Sequence, residues 1–324
     1  MVRFKRIGWQ GLKKLLIGLL CIPLLALAAE PRIVASIKPI HSLVANIMQG
    51  VGEPLLLVAG GASPHDYSLK PSEVRAINQA QVVFWIGPSL ESFLLKPLDQ
   101  AQDRVRAVAL LDTPGLSVLP LRQGGAWEPH THDHDAQEQA MKGDDHVLGY
   151  KADRDPHIWL DPINAIVMAR QIVAVLSEID AAHRADYQRN GAALIEALEQ
   201  LNRQLAIELA PVQKQPYLVF HDAYQYFERR YGLNSVGSVV VSAAQQPGAR
   251  RVAEIQARIR DFQVHCLFSE PQFQPVLVDT LVANSTVHRE VLDPLGAELP
   301  AGPDAYFQLL RSLATALRGC LSNA

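Results

Sequence analysis

Apolar and polar positions along this 324-residue chain change period in a regular order. Arg32–Ile37 reads as a strand, and Pro39 opens a helix that runs to Met48. Leu55–Val58 is a short apolar strand, Pro71 and Ser72 start a helix through Asn78, and Gln81–Ile86 is a strand ended by Gly87. A further helix and a strand at Arg104–Val108 complete four β–α units. Such alternation predicts a mainly parallel sheet with helices on both faces.

Periodicity then stops. Asp112 to Asp155 is rich in Gly, Pro, His and Asp, and a long irregular stretch inside a compact protein is usually functional or disordered. Asp161-Pro162 reads as an N-cap followed by a first-turn proline, opening a helix to about Ile179. A longer helix spans Ala181 to Leu209, with Leu194, Ile195, Leu198, Leu201, Leu205 and Leu209 on one stripe. At ~1.5 Å per residue it reaches roughly 40 Å, enough to bridge two lobes. The β–α alternation then repeats, with strands expected at Tyr217–Phe220, Val236–Val241, His265–Phe268 and Val287–Leu292. Helices are expected between and after them, at Ala223–Tyr231, Ala249–Phe262, Pro275–Ala283 and Asp304–Leu321. The expected fold class is α/β: two lobes, each a mainly parallel sheet flanked by helices, joined by a long backbone α-helix. Residues 30–162 form the first lobe, 163–210 the helical connection and 211–324 the second lobe. No close internal sequence repeat accompanies the repeated pattern.

The N-terminus sets the compartment. Arg3, Lys5, Arg6, Lys13 and Lys14 precede the apolar run Leu15–Leu27 and the small residues Ala28 and Ala29. Basic, apolar and small in that order is a secretory signal peptide, residues 1–29, cleaved near Ala28 or Ala29. The weaker alternatives are an uncleaved anchor, disfavoured by Pro23 and the short run, and a lipid attached at Cys21, disfavoured by Leu20. No other segment reads as apolar enough to cross a membrane, so the mature protein is expected to be soluble; the leader directs it to the periplasm, and a monomer is expected there. Removing five basic and no acidic residues moves the formal net charge from −3 to −8. An acidic chain argues against nucleic acid and anionic lipid as partners and is compatible with a cation. Export also leaves two cysteines, Cys266 and Cys320, an even pair that an oxidising compartment favours as a disulfide. Closing that loop contributes about 4 kcal/mol in the chain-entropy model. A thiolate metal site is the poorer reading, because neither cysteine has a Cys or His at close ligand spacing.

Open parallel sheets bind ligands beyond the carboxyl ends of their strands. His65, His221, Glu270 and Asp293 follow predicted strands, and His157 stands where the irregular stretch gives way to helix. Each alone is equally a loop residue or a cap. Three imidazoles with one carboxylate or a water, however, match the tetrahedral N/O preference of Zn²⁺. Imidazole also favours zinc over manganese or magnesium, though not over copper. A second feature is Trp127–His146, with His130, His132, His134, His146 and six acidic residues in twenty positions. It reads as a metal-attracting disordered loop or, more simply, a solvated acidic segment. Ordering it costs conformational entropy, so weaker binding is expected there than at a preformed site.

The strings GASPHDYSLKPSEV (61–74), DPHIWLDP (155–162), VFHDAYQYFERRYGL (219–233), SEPQF (269–273) and LDPLG (292–296) closely resemble the zinc-binding members of the metal-specific solute-binding proteins of ABC transporters. The resemblance covers essentially the whole mature chain. It implies two α/β lobes with a metal between them, His65, His157 and His221 as ligands, delivery of zinc to a membrane permease, and a bridged Cys266–Cys320 pair. His221 is the discriminating residue, since manganese-binding relatives typically carry glutamate there. One departure stands out. Some relatives place a ligating glutamate just before the first histidine, where this chain has Pro64. Asp293 then becomes the best protein candidate for the fourth place, with water close behind and Glu270 read as supporting. The remaining alternatives are a binding protein for manganese or iron, a periplasmic zinc buffer, and a zinc hydrolase. The last is disfavoured because the chain lacks HExxH.

Overall fold

The computed structural model describes residues 31–122, 127, 153–240, 248–273, 276–282 and 286–322. The first sheet is built from β1 (Ile33–Ile37), β2 (Leu55–Val58), β3 (Val82–Trp85) and β4 (Arg106–Ala109). Its order is β2-β1-β3-β4, with every pairing parallel. Helices α1 (Lys38–Ile47), α2 (Pro71–Gln79) and α3 (Leu95–Ala101) make the connections. β1 and β3 are buried throughout, which is why their sequences are apolar runs rather than alternating ones.

The second lobe repeats that plan. β5 (Pro216–His221), β6 (Asn234–Val240), β7 (Cys266–Ser269) and β8 (His288–Val291) pair in the order β6-β5-β7-β8, again all parallel. Between the lobes lie α4 (Pro162–Ile179) and α5 (Arg184–Leu209), with α6 (Gln225–Tyr231), α7 (Ala249–Asp261), α8 (Val276–Val282) and α9 (Ala305–Leu321) following. Asp161 caps α4 as its sequence predicts, its carboxylate accepting from the Ile163 amide at 2.8 Å ahead of the first-turn Pro162. The long helix begins later than expected, because Ala181–His183 forms a 3-10 turn before Arg184.

α4 corrects a second expectation. Among the described residues it is long and apolar enough to cross a membrane, although no segment after the leader was expected to be. Its apolarity has a local cause: Ala165, Met168, Ala169, Ile172, Val175 and Leu176 are all buried in the protein core.

That core runs through both lobes. Ile33, Val83 and Phe84 of the first sheet belong to one continuous apolar cluster with Met168, Leu198 and Leu205 of the connecting helices and Tyr217, Val219 and Phe268 of the second sheet. A smaller cluster, including Leu218, Phe220, Leu267 and Ile255, fills the opposite face of the second sheet. The alternation of Tyr217 and Val219 against Leu218 and Phe220 is the period-2 pattern of β5 buried on both sides. Lys38 adds a polar tie. Its ammonium donates to the carbonyls of Gly296, Ala297 (2.8 Å) and Leu299 (2.6 Å), joining α1 to the segment after β8. Cys266 at the head of β7 is disulfide-bonded to Cys320 in the last turn of α9.

Two local features yield tests. Gly191 in α5 faces α4 so closely that an added Cβ would lie 2.3 Å from Val173 Cγ2. Gly191→Ala, normally favourable inside a helix, is expected to destabilise by about 1–3 kcal/mol in denaturant unfolding, because the two helices must part. Glu91 is fully buried and accepts from Ser36 Oγ and from the Ile86 and Gly87 amides at 3.2 and 2.9 Å. Burial pushes its carboxyl up to about 7, against the pull of those hydrogen bonds. The folded state therefore holds this proton more tightly than the unfolded chain does. The contribution is fully present below the unfolded pKa near 4.5 and is lost as pH rises through about 7, a change of up to ~3 kcal/mol. Denaturation midpoints from pH 5 to 8 should fall more steeply for the native chain than for Glu91→Gln, which cannot titrate.

Candidate metal centre

His65, His157 and His221 come from three separated stretches of chain and converge on one place. His65 follows β2 across a turn in which Gly60 takes φ +88°, a left-handed conformation suited to glycine. Its amide donates to Ser63 Oγ at 3.3 Å. Two residues on, Tyr67 anchors the loop by donating to Glu73 on α2 at 2.8 Å and resting against Phe93. His157 immediately precedes a 3-10 turn, Ile158–Leu160. His221 is the last residue of β5.

One ring nitrogen from each histidine lies within 4.8 Å of those from the other two. Ring centroids are 5.5 Å apart for His65–His157, 5.4 Å for His157–His221 and 6.1 Å for His65–His221. His157 and His221 are buried and His65 is half-buried. Nitrogens at this spacing can all reach a central ion with bonds of about 2.0–2.1 Å after small side-chain adjustments.

Two carboxylates set the direction of the imidazoles. Asp155 Oδ1 accepts from His157 Nδ1 at 2.8 Å and from the His157 amide at 3.0 Å. Glu270 Oε1, just past β7, accepts from His221 Nδ1 at 2.6 Å. An ionised carboxylate can only accept, so each Nδ1 carries the proton and each Nε2 keeps its lone pair. His221 Nε2 is buried and has no hydrogen-bond partner, an acceptor left for a cation. Burial pulls the His221 pKa down, but the adjacent Glu270 carboxylate outweighs it and holds the imidazole above its ordinary value. Burial likewise raises Glu270, with His221 opposing.

Asp293 does not join the histidines. Its Oδ1 accepts from the Leu295 and Gly296 amides and from Gln272 Nε2, each at 3.0 Å, and its Oδ2 accepts from the Ala297 amide at 2.5 Å. The carboxylate is consumed in closing the turn after β8, whose carbonyls hold Lys38. Among the described residues, the group brought together contains the three histidines alone. Glu270 stands where the sequence suggested a supporting role. Asp155 was not singled out, although an acid two residues before a candidate ligand is the legible signal of such a pair. His130, His132, His134 and His146 lie outside the described residues.

This architecture has known counterparts. Residues 33–320 match the model of the family described as ZnuA, zinc-uptake complex component A, periplasmic. The chain belongs to the ZnuA family. The high-affinity zinc uptake system protein ZnuA of Brucella suis biovar 1 is 47% identical over 308 residues, covering 90% of this chain and 92% of that protein. The Yersinia pestis protein of the same name is 34% identical over 299 residues, covering 90% and 92%. A crystal structure of ZnuA superposes with a TM-score of 0.74 at 25% identity, covering 90% of this chain and 99% of that one. The laminin-binding adhesin Lmb of Streptococcus agalactiae shares the fold, with a TM-score of 0.73 at 22% identity over 90% and 99% of the two chains.

Asp155 and Glu270 set the orientation of two imidazoles of this cluster. Asp155→Asn and Glu270→Gln are each expected to weaken zinc binding about 10–100-fold in competition with a chromophoric chelator. Circular dichroism should show both variants folded.

Proposed function

We propose that this protein captures Zn²⁺ in the periplasm with His65, His157 and His221 and hands it to the permease of a zinc-importing ABC transporter. The observation that carries the reading is the convergence of three imidazole nitrogens within 4.8 Å, two of them aimed by buried carboxylates. Zinc is cargo here, not a resident cofactor. Three neutral imidazoles supply affinity without a net negative ligand set, which suits a borderline ion better than a hard one.

The fourth place we assign to water. Asp293 is spent on its turn, and Glu270 holds Nδ1 of His221, on the far side of that ring from Nε2. The same geometry supports binding, since Asp155 and Glu270 are each engaged in orienting a histidine. In this reading residues 1–29 are removed near Ala28 or Ala29, and the mature chain works as a soluble monomer without membrane insertion. Its lobes are 30–162 and 211–324, connected by 163–210. His130, His132, His134 and His146 act as a weaker gathering site beside the preformed one.

Calorimetric titration of metal-free protein tests the assignment. Zinc should bind more tightly than manganese, and His157→Ala or His221→Ala should lower zinc affinity by at least about 100-fold, the loss of one of three ligand bonds. Tighter manganese binding, or full zinc affinity in His221→Ala, would overturn it. Protons compete for the same lone pairs, so affinity should fall as pH drops from 7.5 to 5.5.

A further inference from the structure

The chain on either side of the His/Asp-rich segment forms a short antiparallel stem. The Leu121 amide donates to Asp153 O and the Asp155 amide to Leu119 O, both at 2.9 Å, with Pro120 bridged to Arg154. This stem is gripped by second-lobe residues that follow His221 in the chain. Tyr226 Oη accepts from the Leu119 amide at 3.0 Å and donates to Asp155 O at 2.8 Å. Gln225 Nε2 donates to Pro120 O at 3.0 Å. Arg122 donates from Nε to both Asp222 oxygens at 3.0 and 2.9 Å, from Nη2 to the same carboxylate, and from Nη1 to Glu228 Oε2 at 2.7 Å. The Trp127 ring covers its guanidinium, 3.4 Å from Cζ to the ring centroid.

Asp222 and Glu228 are both buried, and Asp222 is bonded in sequence to His221. Asp155, held through its carbonyl by Tyr226, is the residue whose carboxylate aims His157. The supports of two proposed ligands, one in each lobe, therefore meet in one hydrogen-bonded clasp. A half-buried arginine between two buried carboxylates is an inefficient way to gain stability, since desolvation offsets much of the attraction. Its planar, bidentate geometry is an efficient way to fix position.

We propose that Arg122 and Tyr226 are positioning residues for the metal centre: without touching the ion, they hold Asp155 and Asp222 in register and so keep the imidazoles of His157 and His221 at ligating distance. The inference rests on those two histidines being ligands. Arg122 sets the approach of the second-lobe ligand, and Tyr226 sets that of the first-lobe ligand relative to it. Both act at the root of the His/Asp-rich segment, so movement of the stem reaches the ligands directly.

The test uses the full mature chain, with Co²⁺ as a spectroscopic stand-in for zinc. Arg122→Met and Tyr226→Phe should each shift the visible ligand-field bands of the Co²⁺ form and speed zinc release about tenfold, at the low end of outer-shell effects. Arg122→Lys should recover part of the loss, because it restores charge but not the bidentate fork. A merely structural role would lower the unfolding temperature of the metal-free protein and leave band positions and release rate at native values. That outcome in folded Arg122→Met and Tyr226→Phe would overturn the proposal. If Arg122→Met does not fold, Tyr226→Phe, which loses one hydroxyl, decides alone. His221→Ala measured alongside separates the two levels: native Co²⁺ bands in that variant would sink the ligand assignment itself, whereas altered bands there with native bands in the clasp variants would sink only the clasp.

Discussion

Everything in this molecule is subject to one constraint: its two sheets share a single apolar core through α4 and α5. Two lobes joined by a thin linker move by default, because their interface is small and polar. Here Met168, Ile172, Leu198 and Leu205 of the connecting helices are buried in one cluster with Val83 and Phe84 of the first sheet and Tyr217 of the second. Opening the lobes widely would expose that surface at about 25 cal/mol per Å². A site between such lobes has to be built in place rather than assembled by closure.

The histidines show how it is built. His157 and His221 approach from different lobes, and each is aimed by a carboxylate of its own neighbourhood, Asp155 and Glu270. Pre-aimed imidazoles lose little freedom on binding a cation, which raises affinity without any large movement. His65 stands on the more exposed loop, so adjustment falls to the element least tied to the core. The ion pair of Arg230 with Asp161, at 2.8 and 2.7 Å, fixes α6 to the head of α4 in the same spirit. Acid groups are thus divided by role: Asp155 and Glu270 orient ligands, Asp161 caps a helix, and Asp293 closes a turn.

Both sheets also sit in their lobes in the same way. The orders β2-β1-β3-β4 and β6-β5-β7-β8 are one topology used twice, and in each the connections reverse direction beside the first strand. Such reversal opens a crevice at the carboxyl ends. His221 and Glu270 flank it in the second sheet, at the ends of β5 and β7. Duplication of topology needs only the recurrence of apolar runs and breakers, not of particular residues, so no sequence repeat accompanies it.

What the sequence determined by itself is whatever depends on neighbours along the chain. Apolar periodicity placed the described strands, and the α-helices for which it gave bounds, to within a few residues; Asp161-Pro162 marked the start of α4, and the strings around His65, His157 and His221 carried the family resemblance. Tertiary structure alone decided matters that depend on residues distant in sequence. It showed that α4 is apolar because it is buried in the core, that Asp293 serves its own turn, and that Arg122 reaches Asp222 and Glu228, 100 and 106 residues away. The physical reason is the same in each case. A periodicity or a cap is a local free-energy preference written in adjacent residues, whereas a carboxylate's role is fixed by whichever donors the fold brings within 3 Å, and those donors leave no mark beside it in the chain.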